Sequence, residues 1–345
     1  MILVTGGAGF IGANFVLDWL AGSDEPVLNL DKLTYAGNLG NLSEVAGNAK
    51  HVFIRGDIGD RDLVRGLLGQ HRPRAIVNFA AESHVDRSIH GPGDFIQTNV
   101  LGSFHLLEEV RAYWSGLKDD ERAKFRFLHV STDEVYGSLG PADPAFSETT
   151  PYAPNSPYSA SKAAGDCLVR SYFHTFGLPV LTTRCSNNYG PYHFPEKLIP
   201  LFVTNLMEGK KVPLYGDGMN VRDWLYVEDH CDAIWTVLNK GRMGEVYNIG
   251  GNNELTNRRI TEVVLLQMGK NWDESVQYVK DRPGHDRRYA IDAGKMKNEL
   301  GWEPKHRFEQ AIQTTIDWYR THESWWRGIK SGEYLKYYQQ QYTGR

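Results

Sequence analysis

The sequence predicts an α/β fold, a doubly wound parallel sheet followed by a smaller C-terminal lobe. Three observations carry that prediction. Short runs of Val, Ile, Leu and Phe alternate with helical patterns through the first half, as in a parallel sheet buried on both faces. A glycine-rich turn joins the first such run directly to the first helical pattern. After about Asn187 the alternation fails, and segments become shorter and richer in Pro, Gly and aromatic residues.

Taken in order, strands are expected at Ile2–Val4, Val27–Leu30, His51–Arg55, Ala75–Phe79, Phe125–Val130 and Val180–Thr183. Helices are expected between them, at Phe10–Ala21, Arg61–Leu68, Asp94–Trp114 and Tyr158–Phe176. Further on, Val227–Leu238 reads as a helix and Glu245–Ile249 as a strand. The large lobe is therefore expected over residues 1–187, with 222–250 returning to it, and the small lobe over 188–221 and 251–345. The Trp- and Tyr-rich stretch Trp318–Tyr342 reads as packing rather than a ligand cage.

Composition narrows the class. The 345 residues are 41% hydrophobic and 23% charged, with mean hydropathy −0.46, which is ordinary globular material. A net charge of −4 without long basic runs argues against a nucleic-acid surface. No apolar run approaches the ~18 residues of a membrane span. The first strand starts at the first residue, which leaves no room for a signal peptide. Three scattered cysteines, Cys167, Cys185 and Cys231, fit a reducing cytoplasm better than a disulfide framework. No His, Cys and carboxylate cluster has metal spacing, so no metal is expected.

The loop after the first strand reads Thr5-Gly6-Gly7-Ala8-Gly9-Phe10-Ile11-Gly12. Gly6, Gly9 and Gly12 have the spacing that lets backbone N–H groups approach a pyrophosphate and lets the helix pack on the strand. Asp31 closes the second strand nineteen residues after Gly12. A carboxylate there accepts hydrogen bonds from the adenosine ribose and repels a 2′-phosphate, so NAD is expected over NADP despite the neighbouring Lys32. Asp57-Ile58 ends the third strand, where the adenine edge would lie. The sheet is thus a Rossmann-type one.

Tyr158 and Lys162 lie four apart on a helix opened by Asn155-Ser156-Pro157, so both project from one face. A nearby ammonium would lower the phenol pKa and make the tyrosine a base for a sugar hydroxyl. In isolation such a pair reads rather as a surface Tyr-Lys pair. Its position decides otherwise, because the preceding strand ends in Ser131-Thr132-Asp133-Glu134-Val135-Tyr136-Gly137. Doubly wound sheets place their chemistry at the carboxyl ends of parallel strands. Asp133 and Glu134 there could act as acid and base with separated pKa values. No hydrolase elbow surrounds Ser131, which argues against a serine nucleophile. His84 and His285 read as loop histidines bonded to backbone.

The strings TGGAGFIG, LDKLTYAGN, NFAAESHVDRSI, STDEVYG, YSASK, CSNNYGPYHFPEKLIP, YGDG, RDWLYVEDH and DRPGHDRRYAID together closely resemble the dTDP-glucose 4,6-dehydratases, in the extended short-chain dehydrogenase/reductase superfamily. The likeness runs over nearly the whole chain. It implies a hydro-lyase that oxidises carbon 4 of dTDP-glucose, eliminates water across carbons 5 and 6 and reduces carbon 6 with a tightly bound NAD. It implies Tyr158 as base for the 4-hydroxyl, assisted by Lys162 and Thr132, with Asp133 as acid for the 6-hydroxyl and Glu134 as base at carbon 5. Cofactor contacts implied by the resemblance are Phe10, Ile11, Asp31, Lys32, Leu33, Thr34, Asp57, Ile58, Phe79, Ala80, Ala81, Glu82, Ser83, Thr98, Tyr158, Lys162 and Asn188. Implied substrate contacts are Ser83, Thr132, Asn187, Lys197, Leu198, Pro213, Leu214, Tyr215, Arg222, Asn257, Asp281, Arg282, Pro283, Gly284 and His285. Of these, Lys197, Arg222 and Arg282 suit a diphosphate.

Gly59-Asp60 departs from the pattern, since the family often has a cysteine before that aspartate. The rival readings are a UDP-sugar 4-epimerase, which has no use for Asp133 and Glu134, and a non-catalytic NAD-binding sensor, which usually lacks the Tyr-Lys pair. GDP-mannose 4,6-dehydratases typically carry serine where this chain has Asp133. The resemblance also implies a homodimer. Small residues on the Tyr158 helix (Ser159, Ala163, Ala164, Cys167) are expected to pack there.

Overall fold

The structure is a computed structural model, and it describes residues 1–331 and 338. The large lobe begins with β1 (Ile2–Thr5), α1 (Phe10–Gly22), β2 (Val27–Asp31), β3 (His51–Arg55), α2 (Arg61–His71) and β4 (Ala75–Asn78). There follow α3 (Val85–His90), α4 (Pro92–Phe95), α5 (Ser103–Ser115), α6 (Asp119–Lys124), β5 (Arg126–Thr132), α7 (Pro157–Phe176) and β6 (Val180–Cys185). The small lobe starts at β7 (Asn187–Tyr189), α8 (Leu198–Met207), β8 (Val212–Tyr215) and β9 (Val221–Tyr226). The chain continues through α9 (Val227–Lys240), β10 (Val246–Ile249), β11 (Glu254–Thr256), α10 (Asn257–Met268), α11 (Trp272–Ser275), β12 (Val276–Val279), α12 (Phe308–Thr321) and α13 (Glu323–Ile329).

Seven strands form one sheet in the order β10-β6-β5-β4-β1-β2-β3, with every neighbouring pair parallel. The chain turns from one half of the sheet to the other between β1 and β4, so the crevice for a ligand opens beyond their carboxyl ends. Strands β1, β2 and β4 are buried along their whole length, as their unbroken apolar runs require. β10, which follows α9, pairs with β6 in this sheet. β9, immediately before it, pairs instead with β7 and β11 in a three-stranded sheet, and β8 pairs with β12. The small lobe has its own core around Ile199, Phe202, Val264, Ile312, Ile316 and Trp326. Trp318, Tyr319, Trp325 and Trp326 pack into that core. The rest of the aromatic stretch, 332–337 and 339–342, lies outside the described residues.

The expected helix at Asp94–Trp114 runs from Pro92 to Ser115, but Ile96–Gly102 is wound as a π-helix. The cause is Asn99. Its side chain accepts from the Glu82 N–H at 2.9 Å and donates to the Glu82 carbonyl at 3.0 Å and to Ser161 Oγ at 2.9 Å. Widening the turn brings this buried amide to the loop after β4 and ties that loop to α7.

Candidate active site

Each part of the site follows from a local rule. Gly6 has φ +72°, and a Cβ there would lie 2.7 Å from the Ala80 nitrogen. A Cβ on Gly12 would meet the Gly6 carbonyl oxygen at 2.3 Å, whereas one on Gly9 would find nothing nearer than 3.4 Å. The first two glycines are therefore fixed by the chain itself, while Gly9 leaves open space in front of α1. Gly9 is also the N-cap of α1 and brings no side-chain acceptor to its free N–H groups. Asp31 Oδ2 accepts from the Ala8 N–H at 2.8 Å and Oδ1 from the Leu33 N–H at 2.7 Å, which aims the carboxylate into the crevice. Burial holds this carboxyl above its usual range. Lys32 pairs with Asp57 at 2.7 Å. An uncapped helix end, a glycine cradle and an acid at the end of β2 fit a dinucleotide.

The cavity there is lined by Gly6, Gly9, Phe10, Ile11, Gly12, Asp31, Lys32, Thr34, Asp57, Ile58, Phe79, Ala80, Ala81, Glu82, Ser83, Thr98, Thr132, Asp133, Glu134, Tyr158, Lys162 and Asn188. Leu33 is not in its wall: at φ +56° its side chain turns back against the large-lobe core. An adjoining cavity is lined by Asn187, Lys197, Leu198, Pro213, Leu214, Tyr215, Arg222, Asn257, Arg282 and His285. Asp281, Pro283 and Gly284 stand outside its wall. Asp281 accepts from His285 Nδ1 at 2.5 Å, so one of the two histidines read as backbone-bonded is held by a carboxylate. The two cavities meet at Glu134, Asn187, Glu196, Lys197, Leu198 and Trp224, which line both.

At that junction β5 ends and a single 3₁₀ turn begins. The Thr132 hydroxyl accepts from the Glu134 N–H at 3.2 Å and donates to Asp133 Oδ1 at 3.3 Å. Asp133 is 1% exposed; burial first, and the Glu134 charge second, push its carboxyl well above the usual range. Burial also raises Glu134, but Arg282, Lys197 and Arg222 oppose it and favour its ionised form. One residue apart, the environment holds a neutral acid and a base backed by three cations.

α7 starts with Ser156 as N-cap, which accepts from the Ser159 N–H at 3.1 Å, and Pro157 in the first turn. Tyr158, Lys162 and Asp166 then share one buried face. The expected lowering of the Tyr158 pKa is not found. Burial drives the phenol well above its ordinary value, with the Glu134 charge adding to it, while the Thr132 hydroxyl lies within hydrogen-bonding reach and opposes it. The Lys162 ammonium explains the difference: it donates to the Val130 carbonyl at 2.8 Å and is itself lowered by burial. The expected small-residue interface is also partly spent within the chain. Ser159 caps the helix and Ala163 packs against Val135, Tyr136 and Phe146, whereas Cys167 is exposed.

Sequence reasoning missed Tyr35, Arg87 and Glu196. Arg87 Nε and Nη2 donate to Glu196 at 2.9 and 2.8 Å, and the guanidinium stacks 3.8 Å from the Tyr35 ring centre. All three stand inside motif strings quoted above, but only the fold brings them together.

A doubly wound sheet with this glycine loop and a Tyr-Lys helix against the end of β5 defines an extended short-chain dehydrogenase/reductase. A family model described as GDP-mannose 4,6 dehydratase matches residues 3–315. The dTDP-glucose 4,6-dehydratase of Xanthomonas campestris pv. campestris (strain B100) is 61% identical over 96% of both chains. Among solved structures, the Bacillus anthracis dTDP-glucose 4,6-dehydratase in complex with NAD matches 95% of this chain and 99% of its own (TM-score 0.87, 52% identity). The Streptomyces venezuelae dTDP-glucose 4,6-dehydratase, also with NAD bound, matches 96% of this chain and 100% of its own (TM-score 0.90, 49% identity). The chain belongs to the nucleotide-sugar 4,6-dehydratase family. Among the described residues no helix is long and apolar enough to cross a membrane.

Proposed function

We propose that the chain is a dTDP-glucose 4,6-dehydratase that keeps NAD as a resident cofactor and forms dTDP-4-keto-6-deoxyglucose and water. The observation that carries this reading is the pair Asp133 and Glu134 where the two cavities meet, the first raised chiefly by burial and the second faced by three cations. An epimerase has no step for either.

Bound NAD supplies a hydride acceptor and, later in the same turnover, the donor. The chain's residues do the rest. Tyr158 takes the proton of the 4-hydroxyl, which Thr132 holds by its own hydroxyl. Because Tyr158 is strongly disfavoured as phenolate in the protein alone, it needs positive charge brought close, and a nicotinamide ring carries that charge. The 4-keto group acidifies the hydrogen at carbon 5. Glu134, whose ionised form Arg282, Lys197 and Arg222 favour against the effect of burial, removes it. Asp133, neutral by burial, protonates the departing 6-hydroxyl. Lys197, Arg222 and Arg282 hold the diphosphate. We place the enzyme in the cytoplasm, where its free thiols stay reduced. We infer a homodimer through α5, the π-helical segment before it and α7, where Phe104, Leu101 and Phe176 are exposed; light scattering tests it.

The decisive experiment supplies dTDP-glucose, UDP-glucose and GDP-mannose in parallel, each with deuterium at carbon 4. The dTDP sugar should lose one water and carry the deuterium in the new methyl group. A label that returns to carbon 4 with no loss of water refutes the dehydratase reading.

A further inference from the structure

The reaction proposed above is redox-neutral overall, so reduced cofactor that escapes in mid-cycle strands an oxidised sugar. Something in the chain must hold it. Among the contacts between the two lobes, one compact cluster stands at the dinucleotide cavity. Tyr35 comes from the loop after β2, beside the expected adenosine site, and lines the cavity. Arg87 comes from α3 of the large lobe. Glu196 comes from the small-lobe segment before α8 and lines both cavities.

The Glu196 side chain is 1% exposed, and burial raises its pKa, chiefly countered by Arg87. Arg87 meets it with Nε and Nη2 at 2.9 and 2.8 Å and lays its guanidinium over the Tyr35 ring at 3.8 Å. The Tyr35 hydroxyl lies within hydrogen-bonding reach of the same carboxylate, and Phe194 meets the Tyr35 ring edge-on at 5.5 Å. Next along the chain, Lys197 Nζ donates to the Ser83 carbonyl at 2.5 Å, a second tie from the small lobe to the loop after β4. A buried carboxylate paired to one planar cation is stable only while that cation is in place; otherwise it must be hydrated. Opening the cluster would therefore require water to replace Arg87 at the carboxylate.

We propose that Tyr35, Arg87 and Glu196 form an interlobe clasp that sets how slowly the bound dinucleotide leaves, and that a seated nucleotide diphosphate tightens it. The second part follows from position. Lys197, adjacent to Glu196, faces the diphosphate cavity, so an anion there fixes the segment that carries Glu196. The clasp rests on the reading of the site as a dinucleotide site but not on the identity of the sugar.

The test follows release of NAD. Purified protein loaded with radiolabelled NAD is diluted into excess unlabelled NAD, and retained label is read by rapid filtration, with and without dTDP. Release from the unaltered chain should be slow and slower still with dTDP. Arg87→Met keeps the bulk and removes the charge, and Glu196→Gln keeps the shape. Both should speed release on the order of tenfold or more and lose most of the dTDP effect. Tyr35→Phe leaves the ion pair in place, so it folds even if the other variants do not; it should speed release by a smaller factor. Release from Arg87→Met or, should that variant not fold, from Tyr35→Phe at the unaltered rate overturns the proposal. So does fast release from the unaltered chain. Absence of turnover on dTDP-glucose, with clasp-dependent release intact, would instead refute the proposed function and leave the clasp standing.

Discussion

The three glycines before α1 make a graded prediction, because the structure gives each a different reason to lack a side chain. In Gly6→Ala the new methyl faces the Ala80 nitrogen, the Ala80 Cα and the Phe79 carbonyl carbon at 2.7, 2.8 and 2.9 Å. These are backbone atoms at the end of β4, so no side chain can swing away. The residue also keeps φ +72°, which costs a non-glycine residue about 1–2 kcal/mol. Pushing the β4 loop aside adds about 1–3 kcal/mol, typical of overpacking. The ligand-free chain should lose roughly 2–5 kcal/mol, or a thermal midpoint drop of roughly 4–10 °C at about 2 °C per kcal/mol for a chain this large.

Gly9→Ala behaves differently. Its methyl touches only the Gly6 carbonyl oxygen at 3.4 Å, an ordinary contact. The ligand-free midpoint should move by less than about 2 °C, within the usual range of surface changes. NAD affinity should nevertheless fall by at least about tenfold, because the methyl occupies the space where a pyrophosphate approaches the helix end. Scanning fluorimetry with and without NAD, followed by calorimetric titration, separates the two effects. If Gly9→Ala destabilises the ligand-free chain more than Gly6→Ala, or binds NAD unchanged, the account of this loop is wrong.

Three further outcomes are expected. Tyr158→Phe should abolish the NADH absorbance that appears on mixing with dTDP-glucose, whereas Asp133→Asn with Glu134→Gln should leave that absorbance and nearly eliminate the 6-deoxy product; stopped-flow absorbance with product NMR distinguishes them. Asp18, raised from 3.8 to about 6 by burial and by Glu228 and Asp232, takes up a proton on folding between those values. Its stabilisation is full below about pH 4 and lost as pH rises through 6, so Asp18→Asn should match the unaltered chain at pH 3.5 and exceed it at pH 8. The gain in urea unfolding should stay below about 1 kcal/mol, because this partly buried carboxyl keeps contact with solvent, which screens it. Finally, the acid limb of kcat should lie at higher pH than that of kcat/KM, since the first reports Glu134 with substrate bound and the second without; coincident limbs would contradict the cation-sharing set out below.

Much of this was legible because it is local. The apolar runs of β1 to β6, the turn into α1 and the four-residue spacing of Tyr158 and Lys162 all act within a few residues, and each lies within a residue or two of its expected place. The π-helix at Ile96–Gly102 was not legible, because its cause is an amide bonded to a loop seventeen residues earlier. β8, β11 and β12 are three or four residues long and are defined by their partners rather than by a period. Leu33 sits in the right string but turns inward on a left-handed residue. The Tyr158 pKa went the other way because spacing places Lys162 on the correct face without saying what its ammonium bonds. The clasp is the extreme case, since Arg87 and Glu196 are 109 residues apart.

The same three cations face both Glu134 and the cavity expected to take the diphosphate. Without substrate, Arg282, Lys197 and Arg222 spend their field on Glu134 and offset part of the rise that burial causes. A diphosphate brings two or more negative charges to those cations, so less of their field remains for the carboxylate. Glu134 then becomes a stronger base at the moment a carbon-bound hydrogen has to be removed. Asp133 is shielded from this exchange. Its neutrality rests first on burial, and only Arg222 of the three figures among the charges that act on it. Substrate binding thus strengthens the base and leaves the acid protonated, which a pair of equally exposed carboxylates could not do. The arrangement needs no movement of either residue, only a strand end that buries one side chain and points its neighbour at the cations.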